Sequence, residues 1–201
     1  MPPEPAFPDD EKLRLVFTGS LYPSAQDPGP LLHGLRVLRQ RRSAVAHRIR
    51  LVVAGHCGRP WLKAADRYSV TELLDVVGEV DRPSARRMQR DADALVLIDF
   101  APGVSGALTT KAFEYLSVDP PIMLVGGATD TSLAKLVTET GRGLVRGSDP
   151  QGIAGTLIDL AEGRPLLTGQ PDAQLIDTFT RECQAHRLLS ILRDQPASRG
   201  F

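Results

Sequence analysis

From residue 13 onward, short apolar runs rich in β-branched residues alternate with segments of helical periodicity, and few architectures accommodate that alternation. Leu13 to Gly19 (LRLVFTG), Ile49 to Gly55 (IRLVVAG), Leu74 to Val80, Ala94 to Ile98 (ALVLI), Ile122 to Val125 and Gly143 to Val145 read as six strands. Between them the spacing predicts helices over Pro30 to Arg42, Trp61 to Ser69, Ser84 to Arg90, Leu108 to Val118 and Ser132 to Thr140. Pro150 to Ala161 and a single long helix over Ala173 to Leu192 close the chain. In the first helix Leu31, Leu32, Leu35 and Leu38 share one face, and Ser84 is the expected N-cap of the third. The strands are apolar on both faces, which requires cover on both sides. The pattern therefore predicts an α/β fold: a three-layer α/β/α Rossmann-like domain with a parallel sheet of about six strands.

The chain has 201 residues, enough for one domain to bury a core without covalent staples. Residues 1–12 read as a linker or a start inside a longer parent chain, 13–170 as the Rossmann-like domain, and 171–201 as a C-terminal helix and tail. Four prolines among the first eight residues favour a linker, and with no basic or apolar stretch there a signal peptide is not expected in this segment. Lys plus Arg and Asp plus Glu number 24 each, so no global charge points to nucleic acid or an anionic surface. No apolar run approaches the ~20 residues of a membrane span. Cys57 and Cys183 make no disulfide framework, and a cytoplasmic location is expected, peripheral to the membrane at most in a full-length protein. His33, His47, His56 and His186 have no metal-ligand spacing, so neither a metal nor a cofactor is expected.

In an open parallel sheet, ligands bind beyond the carboxyl ends of the strands. Three loops there carry candidate chemistry. Gly19-Ser20-Leu21-Tyr22 follows the first strand, where a glycine lets backbone approach a ligand. It reads equally as an ordinary turn, since neither a complete G-x-G-x-x-G nor a G-x-x-x-x-G-K-[ST] is present. The polar stretch Asp99 to Gly106 runs into a helix that begins Leu108-Thr109-Thr110-Lys111. Amide groups and a lysine at a helix start suit phosphate, and Glu114, three residues on, suits a ribose diol because a carboxylate accepts two O–H bonds. By spacing alone the same residues also fit a solvated Lys–Glu pair. Gly78-Glu79-Val80-Asp81 walls a base or simply turns.

At Lys111-Ala-Phe-Glu-Tyr-Leu116 the chain resembles the C-terminal domain of group 1 (family 4) glycosyltransferases of the GT-B fold. Segments in the family's order support the likeness along nearly the whole chain: LRLVFTGSLYP, IRLVVAG, VVGEVDRPSARRMQRDADALVLI, GALTTKAFEYLSVDPPIMLVGG, LAKLVTETGRGLVRGSDPQGIAGTL and FTRECQAHRLLSIL. The resemblance implies a donor site for a nucleoside-diphosphate sugar, UDP- or GDP-linked, and a missing N-terminal acceptor-binding domain. It implies donor contacts at Gly19, Ser20, Leu21, Val80, Leu108, Thr109, Thr110, Lys111 and Glu114. Lys111 and Glu114 are the candidate catalytic residues, Glu114 on the ribose hydroxyls and Lys111 on the diphosphate. The chain departs from the family twice. Gly106 stands where many members carry a glutamate toward the transferred sugar, and no basic residue follows the first strand before His33. Sugar-nucleotide epimerases of related architecture and a non-catalytic nucleotide-sugar-binding module are the alternatives. In the family the last helix crosses to the partner domain. The apolar stripe Leu175, Phe179, Leu189 and Leu192 is thus expected to be partly exposed, or covered in a homodimer.

Overall fold

The computed structural model of the chain describes residues 4–22, 24–56, 58–101 and 108–194. Six strands, β1 (Leu13–Thr18), β2 (Ile49–Ala54), β3 (Leu74–Gly78), β4 (Ala94–Ile98), β5 (Ile122–Val125) and β6 (Gly143–Gly147), form one sheet in the order β3-β2-β1-β4-β5-β6. Every pairing is parallel. The expected three-layer α/β/α architecture is therefore the one observed.

Strand alternation divides the core into two halves. Leu15 and Phe17 of β1 and Val96 and Ile98 of β4 face one side, with α1 (Gly29–Arg41), α3 (Gly58–Arg67) and α7 (Pro150–Ala161). Val16 of β1 and Leu95 and Leu97 of β4 face the other, with α5 (Thr110–Leu116) and α6 (Ser132–Glu139). This two-sided burial is why the strands read as continuous apolar runs. On the first side Trp61 is fully buried and its ring centroid lies 5.1 Å from that of Phe17. All four leucines of the α1 stripe are buried there.

Three local expectations need correction. A short helix α2 (Ser43–Arg48) precedes β2 and was not legible, because Ala46 is its one buried side chain. Helix α4 (Arg82–Arg90) begins two residues earlier than expected, and its N-cap is Asp81, not Ser84; the Asp81 carboxylate accepts from the Ser84 amide at 2.8 Å. The closing helix is not one element but two, α8 (Ala173–Asp177) and α9 (Arg181–Asp194). Thr178 and Thr180 separate them. Their hydroxyls donate to the carbonyls of Leu175 and Asp177, and the Thr180 oxygen accepts from the Cys183 amide at 3.3 Å, so local side-chain bonds replace the helical ladder. Phe179 packs on Phe113, centroids 5.7 Å apart, whereas Leu188, Leu189, Ile191 and Leu192 of α9 are exposed. No helix among the described residues is long and apolar enough to cross a membrane.

Candidate functional site

The chain winds outward from β1 through β2 to β3, then returns to β4 on the other side of β1. That reversal leaves a crevice beyond the carboxyl ends of the strands. A cleft of about 450 Å³ lies there, walled by the ends of β1, β2 and β3, by α4 and by the start of α5. Gly19, Ser20, Val80, Thr109, Thr110, Lys111 and Glu114 all line it. The side chain of Leu21 instead joins the core and Leu108 is exposed, and neither borders the cleft, so Leu21 offers a ligand only its backbone. Positions 103, 105 and 106 of the polar loop lie outside the described residues.

Lys111 reaches from α5 across to the end of β1. Its Nζ donates to the Ser20 carbonyl at 3.1 Å and sits 3.6 Å above the centroid of the buried Phe17 ring. A carbonyl and a ring face thus hold a positive charge in place, the ring contributing about 0.5–2 kcal/mol. Gly19 lies beside it at φ 93°, a conformation that side chains rarely adopt, and a Cβ there would make only ordinary contact, 3.4 Å, with the Lys111 Cε. Thr109 is the N-cap of α5 and accepts from the Ala112 amide. Glu114, one turn beyond Lys111, is half-buried on the same wall, and its carboxylate has no hydrogen-bond or ion-pair partner among the described residues.

Among the other cleft residues, Glu79 belongs to the expected Gly78–Asp81 loop and His56 follows a strand end, whereas Thr18 and Gln89 were not singled out by spacing. His56 Nδ1 and Glu79 Oε1 pair at 2.9 Å, joining the ends of β2 and β3 at the rim. Thr18 and Gln89 form a polar floor: Gln89 Nε2 donates to Thr18 Oγ1 at 2.8 Å, and the Thr18 amide donates to the Tyr115 hydroxyl at 2.9 Å. At the end of β4 the buried Asp99 accepts from the Phe100 amide at 2.8 Å and from Thr131 Oγ1 at 2.6 Å. Burial pushes its pKa above the usual carboxylate range, against those two bonds. Among the described residues, no group of three or more His, Cys, Asp or Glu side chains comes together to hold a metal.

No protein-family model and no curated protein matches the sequence. Solved structures share its fold. WaaG, a glycosyltransferase involved in lipopolysaccharide biosynthesis, superposes with a TM-score of 0.59 at 15% identity, covering 93% of this chain and 44% of that one. AviGT4, a glycosyltransferase involved in avilamycin A biosynthesis, gives 0.58 at 16%, covering 90% of this chain and 51% of that one. MnaA of S. aureus, solved with UDP, gives 0.52 at 11%, covering 94% and 50%. The chain thus has the fold of one half of a GT-B glycosyltransferase and spans about half the length of the structures it resembles.

Proposed function

We propose that the chain is the donor-binding half of a glycosyltransferase, holding a UDP- or GDP-linked sugar for transfer to an acceptor bound by an N-terminal domain. The observation that carries this reading is the placement of Lys111 and Glu114 in one cleft at the sheet's switch point, Lys111 tethered over the end of β1. A cation there meets a diphosphate, and a carboxylate one turn away meets the ribose diol. As the glycosidic bond breaks, negative charge grows on the leaving diphosphate, and a cation already in position stabilises it without reorganisation. The backbone at Thr109 and Thr110, which border the cleft, takes the phosphate oxygens beside it, and Leu108, which does not, is left out of that contact. Likeness of fold to two glycosyltransferases and to a protein solved with UDP supports the reading.

Lys111→Ala tests it. The variant is expected to lose about tenfold in affinity for UDP or GDP, by the strength of a charge-assisted contact. It is expected to lose little for the corresponding nucleoside, and more at low salt than at high. Calorimetric titration at two ionic strengths reads this. An equal loss for nucleoside and diphosphate would remove Lys111 from the phosphate. Residues 1–201 alone are expected to bind the donor and to transfer nothing without a domain that holds the acceptor.

The exposed apolar face of α9 belongs to the same reading. In a two-domain parent it docks on the partner domain, and in the isolated chain it pairs with a second copy. Sedimentation is expected to show a dimer that Leu188→Asp with Leu192→Asp converts to monomer. A chain that stays monomeric at high concentration rules out the pairing.

A further inference from the structure

The floor of the cleft holds a buried polar atom that no described residue satisfies. Gln89 borders the cleft and is 1% exposed, and among the described residues its Oε1 has no hydrogen-bond partner. The side chain is not free to turn away, because Nε2 is anchored on Thr18 Oγ1 at 2.8 Å, and Thr18 is in turn held through its amide by the Tyr115 hydroxyl. Three elements, β1, α4 and α5, thus fix one carboxamide in the wall of the cleft, with its acceptor unmet. Buried acceptors are seldom left so, since each forfeits its bond to water.

The chemistry of the missing partner is restricted. An ionised diphosphate carries acceptors and no proton to give, so it cannot satisfy Oε1. What can is an O–H or N–H. Gln89 and Ala85 lie four residues apart on one face of α4, the wall that also carries Val80. Lys111 is anchored at the end of β1 instead. Ala85 is small and borders the cleft beside Gln89. We propose that Gln89 is a binding residue of this cleft whose carboxamide oxygen accepts a hydrogen bond from an O–H or N–H of the ligand's nucleoside, an inference that rests on the nucleotide reading above.

The test uses Gln89→Met, which keeps the length and removes the amide, and Gln89→Asn, which withdraws the oxygen by one methylene. Melting temperatures establish that each folds. UDP, GDP and inorganic pyrophosphate are titrated into the parent and both variants. Each variant is expected to weaken the nucleoside diphosphate about tenfold, the scale of one buried hydrogen bond, and to leave pyrophosphate within about twofold. A folded variant that keeps its nucleotide affinity, or that loses both ligands equally, overturns the role of Gln89. A loss confined to nucleotide sugars, with UDP and GDP unaffected, also overturns it by assigning Oε1 to a sugar hydroxyl. If the parent binds neither UDP nor GDP, the nucleotide reading itself fails, and the Gln89 inference falls with it.

Discussion

Glu114→Ala is expected to lower affinity for UDP or GDP by about tenfold to a hundredfold without altering the fold. The magnitude follows from removing an acceptor of charge-assisted hydrogen bonds, each worth ~1.5–3 kcal/mol. The cleanness of the test follows from the structure. The Glu114 carboxylate has no partner among the described residues, so its removal breaks no bond among them. The second carboxylate of the cleft, on Glu79, is paired with His56 at the rim and is no substitute. Calorimetric titration of parent and variant, with circular dichroism on both, measures the effect. A folded variant with unchanged nucleotide affinity would refute the ribose assignment, and the site would lie elsewhere.

Gly55→Ala is expected to cost about 3 kcal/mol or more of stability and to abolish nucleotide binding with it. Gly55 sits at φ 131°, which side chains rarely adopt, and a Cβ there would lie 2.2 Å from the Gly19 carbonyl oxygen. The obstruction is backbone, so it cannot swing aside as a side chain would. Gly19 is itself tied to β2 through its amide and the Ala54 carbonyl, 2.7 Å apart, while the Gly55 amide donates to the Gly78 carbonyl at 2.6 Å. Strain and overpacking of this kind cost ~1–3 kcal/mol each. For a domain of this size the melting temperature is expected to fall by about 6–12 °C. Displacing Gly19 and Ser20 also dislodges the carbonyl that tethers Lys111. Gly155→Ala is the control: nothing lies within 4 Å of its would-be Cβ, and it sits inside α7. There alanine is expected to raise stability by about 0.5–1 kcal/mol. Thermal melts of the two variants that shift alike would refute this account of the strand ends.

Much of the fold was legible because the strands announce themselves by two-sided burial. The runs at Leu15–Phe17, Leu51–Val53, Leu95–Leu97 and Met123–Leu124 are buried throughout, and an all-apolar run flanked by helical periodicity has few other uses. The misread places are those where burial is slight or local bonds compete. Helix α2 has too little apolar surface to show a period, and Asp81 and Thr180 set helix starts through single hydrogen bonds that periodicity does not register. In the candidate site, Lys111 and Glu114 were legible as neighbours on one short helix. The Thr18–Gln89 and Thr18–Tyr115 bonds were not. They join residues 71 and 97 positions apart, and no spacing pattern encodes such a distance.

The sequence by itself determined that this protein is a parallel sheet between two helical layers, since strands apolar on both faces must be covered on both. It also determined that a lysine and a glutamate lie one helical turn apart at a helix start. Only the tertiary structure decided which strands are neighbours. Burial demands that each strand be covered, but it is indifferent to their order, and several orders would bury the same side chains. The order β3-β2-β1-β4-β5-β6 places the helix after β4 beside the end of β1. That adjacency brings Lys111 over Phe17, closes the cleft at the switch point, and leaves the Gln89 carboxamide buried in its floor.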